Sequence, residues 1–191
     1  MTAHPAADEP VETVWQGQFL ATKRRGKWEY VSRTRGMHAA VILAVDDEDH
    51  IVLVEQFRVP LGRACIELPA GLVGDDVEGE DTAVAAAREL EEETGYRPGT
   101  MQVLGEFHSS PGMISESFTL LRACAIERVG PGGGTEGENI TVHRVPLGDI
   151  VARIAQWRED GLAIDVKLLL VLGPALVGRP LGALLLQGDS A

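Results

Sequence analysis

The chain has 191 residues, 45% of them apolar, and carries 29 acidic residues against 17 Lys and Arg, for a formal net charge of −12. An apolar share of that size suits a folded core and argues against a disordered chain. The charge repels phosphate backbones and anionic lipid, so neither nucleic acid nor a membrane surface is an expected partner, and a small phosphate-bearing ligand would need local positive charge, most simply from divalent cations. The two cysteines, Cys65 and Cys124, sit in apolar settings without metal-ligand spacing and read as buried core thiols of a reducing cytoplasm. The first ten residues lack the basic flank and apolar core of a secretory signal. The greasiest stretch, 168–177, is interrupted by Gly173-Pro174 and is too short to span a bilayer. The expected location is the cytoplasm.

Residues 1–12 read as a tail and 13–36 as a small N-terminal β extension, with the main domain over 37–191. Within the extension, Gln18-Phe19-Leu20 and Trp28-Glu29-Tyr30-Val31 flank the basic turn 23–27 as a hairpin. Residues 39–45 and 51–55 read as buried strands joined in a hairpin by an acidic turn, whose aspartates 46, 47 and 49 are expected to be solvated. A short strand ends at Pro69-Ala70-Gly71. After a loop comes the clearest helix, 82–94, with Asp81 or Thr82 as N-cap and Gly95 as stop. Strand-like runs follow at 101–107, 117–126 and 140–145, then helices at 147–159 and 164–172, the second stopped or kinked at Gly173-Pro174. This order predicts an α/β (α+β) sandwich with a central mixed sheet.

The central helix carries the chemistry. At roughly 100° per residue, Ala83, Ala86, Ala87 and Leu90 form an apolar stripe, while Glu89, Glu92 and Glu93 stand at i, i+3 and i+4 on a neighbouring side, with Glu91 turned away. Same-sign charges at this spacing destabilise a helix. A hard divalent cation with oxygen ligands would offset that, and Arg88 can hold one carboxylate in place. A solvated acidic face is the plain alternative, and periodicity alone does not separate the two.

The wider pattern does. From Gly74, five residues lead to Glu80 and seven more to Arg88-Glu89-Leu90-Glu91-Glu92-Glu93-Thr94-Gly95-Tyr96. This is similar to the complete Nudix box, with every fixed position filled. Val54-Glu55-Gln56-Phe57-Arg58, Cys65-Ile66-Glu67-Leu68-Pro69-Ala70-Gly71, Trp28-Glu29-Tyr30-Val31-Ser32-Arg33, Ser110-Pro111-Gly112 with Ser115-Glu116, and Gly137-Glu138 resemble the ADP-ribose pyrophosphatase branch of that family. The chain departs from that branch where Gly71 and Gly74 are separate, which lengthens the loop by three residues.

The resemblance implies a Nudix-type α/β/α sandwich and hydrolysis of ADP-ribose to AMP and ribose 5-phosphate. It implies Mg²⁺, or Mn²⁺ in its place, bound by Glu89, Glu92, Glu93 and the carbonyl of Ala70, with Arg88 orienting the glutamates and Glu80 supporting them. Glu138 would be general base or metal ligand, with Glu136 its rival. Arg58 would contact phosphate, Trp28 and Arg33 the adenine side, and Glu116 the ribose or phosphate region. A homodimer formed through the N-terminal strands is also implied. Other nucleotide sugars, oxidised nucleoside diphosphates and a non-catalytic nucleotide sensor remain as alternatives. The glycine-rich segment 130–134 would give the base a flexible approach, although a plain surface loop reads nearly as well.

Overall fold

The computed structural model describes residues 7–34, 38–73, 81–135 and 137–176. The tail up to residue 6, the loop 74–80 with Gly74 and Glu80, Glu136, and residues 177–191 lie outside the described residues. The chain opens with a three-stranded antiparallel sheet, β1 (Val11–Gln16), β2 (Leu20–Arg25) and β3 (Trp28–Arg33). The expected hairpin is present: β2 and β3 pair from Leu20↔Arg33 to Arg25↔Trp28 around a tight Gly26-Lys27 turn.

Two four-stranded sheets make the body. One has the order β7 (Ala70–Val73), β4 (His38–Ala44), β10 (Phe118–Cys124), β9 (Thr100–Phe107). The other has β12 (Thr141–Pro146), β5 (His50–Arg58), β6 (Arg63–Glu67), β13 (Ala163–Ile164). Both are mixed, since β10 runs parallel to β4 and β13 parallel to β6. Tyr96–Arg97 and Glu127–Arg128 add a two-residue ladder as β8 and β11.

Strand alternation sorts the core into two layers. Val41 and Leu43 of β4, Ile51 and Leu53 of β5 and Leu120 of β10 share one cluster with Ile150, Trp157, Leu168 and Leu172. These last four come from or border the helices α2 (Ile150–Glu159) and α3 (Val166–Leu176). Ala40, Ile42 and Ala44, on the opposite face of β4, pack with Leu121 and Ala123 and with Ala85, Ala86 and Leu90 of α1 (Thr82–Thr94). Helices thus cover both sides of the sheets, as an α/β/α sandwich requires. Among the described residues no helix is long and apolar enough to cross a membrane.

Several expectations change. The strands β4 and β5 flank the acidic turn but do not form a hairpin: after the single bridge Val45↔Ile51 they splay, β4 joining β7 and β10 while β5 joins β6 and β12. Asp46 is not a solvated turn residue; its side chain is 5% exposed, accepts the amides of Glu48 and His50 at 3.0 Å each, and meets Arg144 at 2.6 Å. On α1 the buried set is Ala85, Ala86, Leu90, Glu93 and Thr94, so the inward face is turned from the expected stripe, leaving Ala83 and Ala87 half-buried. The helix at 150–159 begins after a turn at 147–149, and α3 continues through Gly173 and Pro174 to Leu176 instead of stopping there. Cys65 is buried, but Cys124 is only partly so.

The packing of α1 generates a stability contrast. Leu90 is fully buried between helix and sheet, whereas Val84 on the same helix is 59% exposed. Leu90→Ala is expected to cost about 2–5 kcal/mol through lost burial and a cavity, and Val84→Ala less than about 0.5 kcal/mol. Urea unfolding of the two variants checks this; similar losses in both would mean that α1 is not seated as described.

Candidate active site

The sequence places α1 locally and firmly. The side chain of Asp81 accepts the amides of Ala83 and Val84 at 2.9 and 3.3 Å, and Gly95, at φ 74°, ends the helix in the left-handed region. Beyond Gly95, the glycine-rich segment is not a free loop. Gly133 and Gly134 donate their amides to the carbonyls of Glu93 and Glu92 at 2.8 and 3.0 Å, closing carbonyls that the helix end would leave unpaired. Gly132, at φ 69°, lies so close that a Cβ there would strike the backbone of Thr94. These glycines permit backbone-to-backbone packing, and the sequence carried only their composition, not their partner.

One face of α1 meets the free edge of β7. Pro69 accepts the Ile42 amide at 2.8 Å, and the register pairs Val41 with Ala70. Alternation along the ladder then turns Ala70 away from β4. Its amide accordingly donates to Glu93 Oε2 at 3.1 Å, and its carbonyl shares the open side. One residue on, Glu89 crosses directly over Gly71, where any Cβ would collide with its side chain. That contact gives the Pro-Ala-Gly turn its glycine.

These groups line a cleft of about 680 Å³. Among the described residues its wall holds the cations Arg33, Arg58 and Lys167 and the carboxylates Glu67, Glu89, Glu93, Glu116, Glu138 and Asp165. Each cation has its own carboxylate. Arg58 forks onto the buried Glu67 at 2.6 and 2.9 Å, Arg33 meets Glu116 at 2.6 Å, and Lys167 meets Asp165 at 2.6 Å. Donating to Glu67 holds the Arg58 guanidinium above its ordinary pKa.

Glu89, Glu93 and Glu138 are the acids left over. Burial pushes the Glu93 carboxyl up to about 8, with Glu89 and Glu138 adding repulsion and the Ala70 amide and Arg58 opposing it. Glu89 is raised for the same first reason, burial, against the pull of Arg88 at 3.1 Å. A cluster of oxygen donors too acidic for its own cations has the chemistry that a hard divalent ion suits. Glu89, Glu93 and the Ala70 carbonyl could supply it. Among the described residues no three His, Cys, Asp or Glu side chains are already drawn together closely enough to hold a metal ion.

The cleft therefore gathers Ala70, Glu89, Glu93, Glu138, Arg58, Arg33 and Glu116 of the sequence-derived set. Glu138 is exposed, and its Oε2 is held by the Thr135 amide and hydroxyl at 2.6 and 2.9 Å. Glu92 is not brought into the lining; it is exposed and lies 3.4 Å from Arg88, which itself stands beside the cleft. Trp28 is also apart, half exposed in a neighbouring hollow of about 340 Å³ with Arg25, Tyr30 and Ser115. Arg33 reaches the cleft because β3 is tied to the loop before β10 by Val31 and Ser115 backbone bonds. Sequence reasoning missed Glu67, Asp165 and Lys167 as site residues; Glu67 stood in a recognised segment, but its bond to Arg58 joins two strands and leaves no local mark.

A family model described as the NUDIX domain matches residues 35–163. An ADP-ribose pyrophosphatase of Mycobacterium tuberculosis is 38% identical over 117 residues, covering 61% of this chain and 56% of that protein, so the match spans just over half its length. A GDP-mannose pyrophosphatase of Cronobacter sakazakii is 35% identical, covering 72% of each. A solved structure titled as an ADP compounds hydrolase superimposes with a TM-score of 0.62 at 24% identity, over 75% of this chain and 80% of that one, and shows the shared fold. With the family model covering 35–163, the chain belongs to the NUDIX domain family.

Proposed function

We propose that the chain hydrolyses the diphosphate linkage of ADP-ribose, releasing AMP and ribose 5-phosphate, with Mg²⁺ or Mn²⁺ as cofactor. The observation that carries this reading is the meeting, in one cleft, of the buried Glu93 and its neighbour Glu89 with an arginine, Arg58, already fixed by Glu67. Glu89, Glu93 and the Ala70 carbonyl would hold the metal, and Glu92 would join them on leaving Arg88. When bound, the metal neutralises diphosphate oxygens and lowers the pKa of an attacking water.

The protein's own groups do the rest. Arg58, fixed by two bonds to Glu67, presents its remaining donors to one phosphate without having to order itself first. Arg88 keeps Glu89 from swinging outward. Glu138 takes the proton from the attacking water, a contribution typically about 10²–10⁴-fold. It is held by Thr135 on a loop whose glycines are fastened to the end of α1, so base and glutamates share one support. Glu136 remains the rival base. Arg33 binds the adenine side, and Glu116 the ribose or phosphate region.

The N-terminal sheet supports a homodimer. Every residue of β1 is exposed, and Val14, Trp15 and Phe19 are each more than half so, an apolar surface that a second copy would cover. Trp28 would then meet the adenine across that contact. A second reading, hydrolysis of another nucleotide sugar such as GDP-mannose, draws on the Cronobacter sakazakii relative.

Turnover of ADP-ribose, GDP-mannose and 8-oxo-dGDP, measured side by side with and without Mg²⁺, tests the assignment. ADP-ribose should be turned over fastest and only with the metal; equal or faster cleavage of either other compound overturns the substrate. Glu93→Gln keeps an oxygen for the Ala70 amide, so its fold should survive while its rate falls by several kcal/mol of barrier, about a hundredfold or more. Unchanged activity would leave α1 as scaffold only.

The Glu93 carboxyl also predicts how metal-free stability depends on pH. Its folded value of about 8 lies above the ordinary 4.5, so the folded state binds this proton more tightly than the unfolded chain. The resulting stability is fully present below about 4.5 and is lost as pH rises through about 8. Melting temperature in EDTA should therefore fall from pH 5 to pH 8.5, and Mg²⁺ should restore it most at the upper end. A flat or rising profile that ignores Mg²⁺ would contradict the burial of this acid.

A further inference from the structure

One part of the cleft is not used by the reaction described above. Beyond Arg58 and Glu67, the wall continues through Cys65 to Asp165 and Lys167. The order follows from the backbone. Strand β13 runs parallel to β6, pairing Ala163 with Cys65 and Ile164 with Ile66, and the Asp165 amide donates to the Ile66 carbonyl at 3.0 Å. Asp165 therefore emerges beside Glu67. The buried Cys65 thiol lies in the fields of Glu67, Asp165 and Arg58, and Glu93 in the field of Arg58. Metal-site glutamates, phosphate-binding arginine and the Asp165–Lys167 pair thus follow one another along a single wall.

The pair is held but not saturated. Asp165 takes the Lys167 amide on Oδ1 and the Lys167 ammonium on Oδ2, each at 2.6 Å, and the two side chains are 17% and 19% exposed. An ammonium has three donors and each carboxylate oxygen a second lone pair, so donors and acceptors remain side by side. That combination matches a vicinal diol, in which one hydroxyl donates to the carboxylate while its neighbour accepts from the ammonium.

We infer that Asp165 and Lys167 bind the hydroxyls of the sugar on the far side of the diphosphate, and so select nucleotide sugars over nucleoside diphosphates lacking one. This rests on the cleft being a diphosphate site, as proposed above. Lys167 and Asp165 act by holding that sugar in register with the diphosphate, away from the bond that is cut.

The test uses two methylene-bridged, uncleavable ligands, one of ADP-ribose and one of ADP methyl ester, titrated calorimetrically with Mg²⁺ into the full chain. Lys167→Met should weaken the ribose ligand about tenfold, the worth of one charge-assisted hydrogen bond, and leave the methyl ester within about twofold. Asp165→Asn keeps an oxygen for the Lys167 amide and should show the same selectivity if the helix start is intact by its melting temperature. With the cleavable pair, KM for ADP-ribose should rise while kcat on ADP methyl ester stays level. Equal weakening of both ligands, or of neither, overturns the assignment, because a structural or phosphate-binding role does not discriminate by sugar. Wild-type protein that binds the ribose ligand tenfold better but cleaves neither substrate would instead sink the hydrolytic reading and leave this one standing; wild type that binds neither ligand sinks both.

Discussion

The structure turns on a carboxylate placed where physics disfavours it. Glu93 is 7% exposed, has one backbone amide as its neutral partner, and stands beside Glu89 on the same helix face. Both lie toward the C-terminal end of α1, where the helix dipole is itself negative. Burial and like charge act against ionisation; the Ala70 amide and Arg58 act for it at Glu93, and Arg88 at Glu89. A chain could remove the strain by substituting glutamine; this one instead builds supports around the acid. The glycine-rich segment caps the Glu92 and Glu93 carbonyls and so moderates the negative helix end, while β7 offers an edge amide. The unbalanced charge that remains is the feature on which the proposed cation binding rests.

Those supports explain why the sandwich takes this form. An edge strand was needed, because only an unpaired side of β7 leaves Ala70 pointing at α1. A glycine was needed at 71, because the helix and strand approach until Glu89 covers that Cα. The splay of β4 from β5 after one bridge separates the two sheets and opens the cleft between β7 on one side and β5 and β6 on the other. The turn between these two strands is held by Asp46, bonded to the amides of Glu48 and His50 and to Arg144 on β12. A buried acid thus fixes the turn at one end of the strands, and the site depends on another at the far end.

How far the sequence reveals this depends on the range of each interaction. The bounds of α1 are legible because an N-cap aspartate and a left-handed glycine act within four residues of the helix they delimit. The glutamate face is legible through helical period, and the family likeness through spacing. The inward face of α1 differs from the expected stripe by about half a residue's turn, roughly 50°, since alanines at 83, 85, 86 and 87 look alike until a sheet selects among them. The separation of β4 from β5, the docking of 130–134 on α1 and the arrival of Asp165 beside Glu67 are all contacts between distant segments, and hydrophobic pattern carries no partner label. Trp28 shows the same limit, since a motif can mark a residue without saying which hollow it lines.

The charge of the chain can now be joined to the charge of the cleft. A net −12 surface should repel a diphosphate, and among the described residues the cleft does not reverse that sign: its three cations are each committed to an acid, with Glu93 and Glu138 in excess and Glu89 shared with Arg88 at its side. Committed cations are not wasted. An arginine already locked by Glu67 or Glu116 offers its donors in a fixed direction and loses little side-chain entropy on binding. What it cannot offer is net attraction at a distance. Geometry and charge are therefore supplied separately in this protein, geometry by the ion pairs and charge by whatever cation the surplus carboxylates recruit. A diphosphate alone would be well fitted and poorly attracted, and a cation alone would be attracted to acids that are still incompletely coordinated. Under the proposed function each completes the site for the other, which couples their binding.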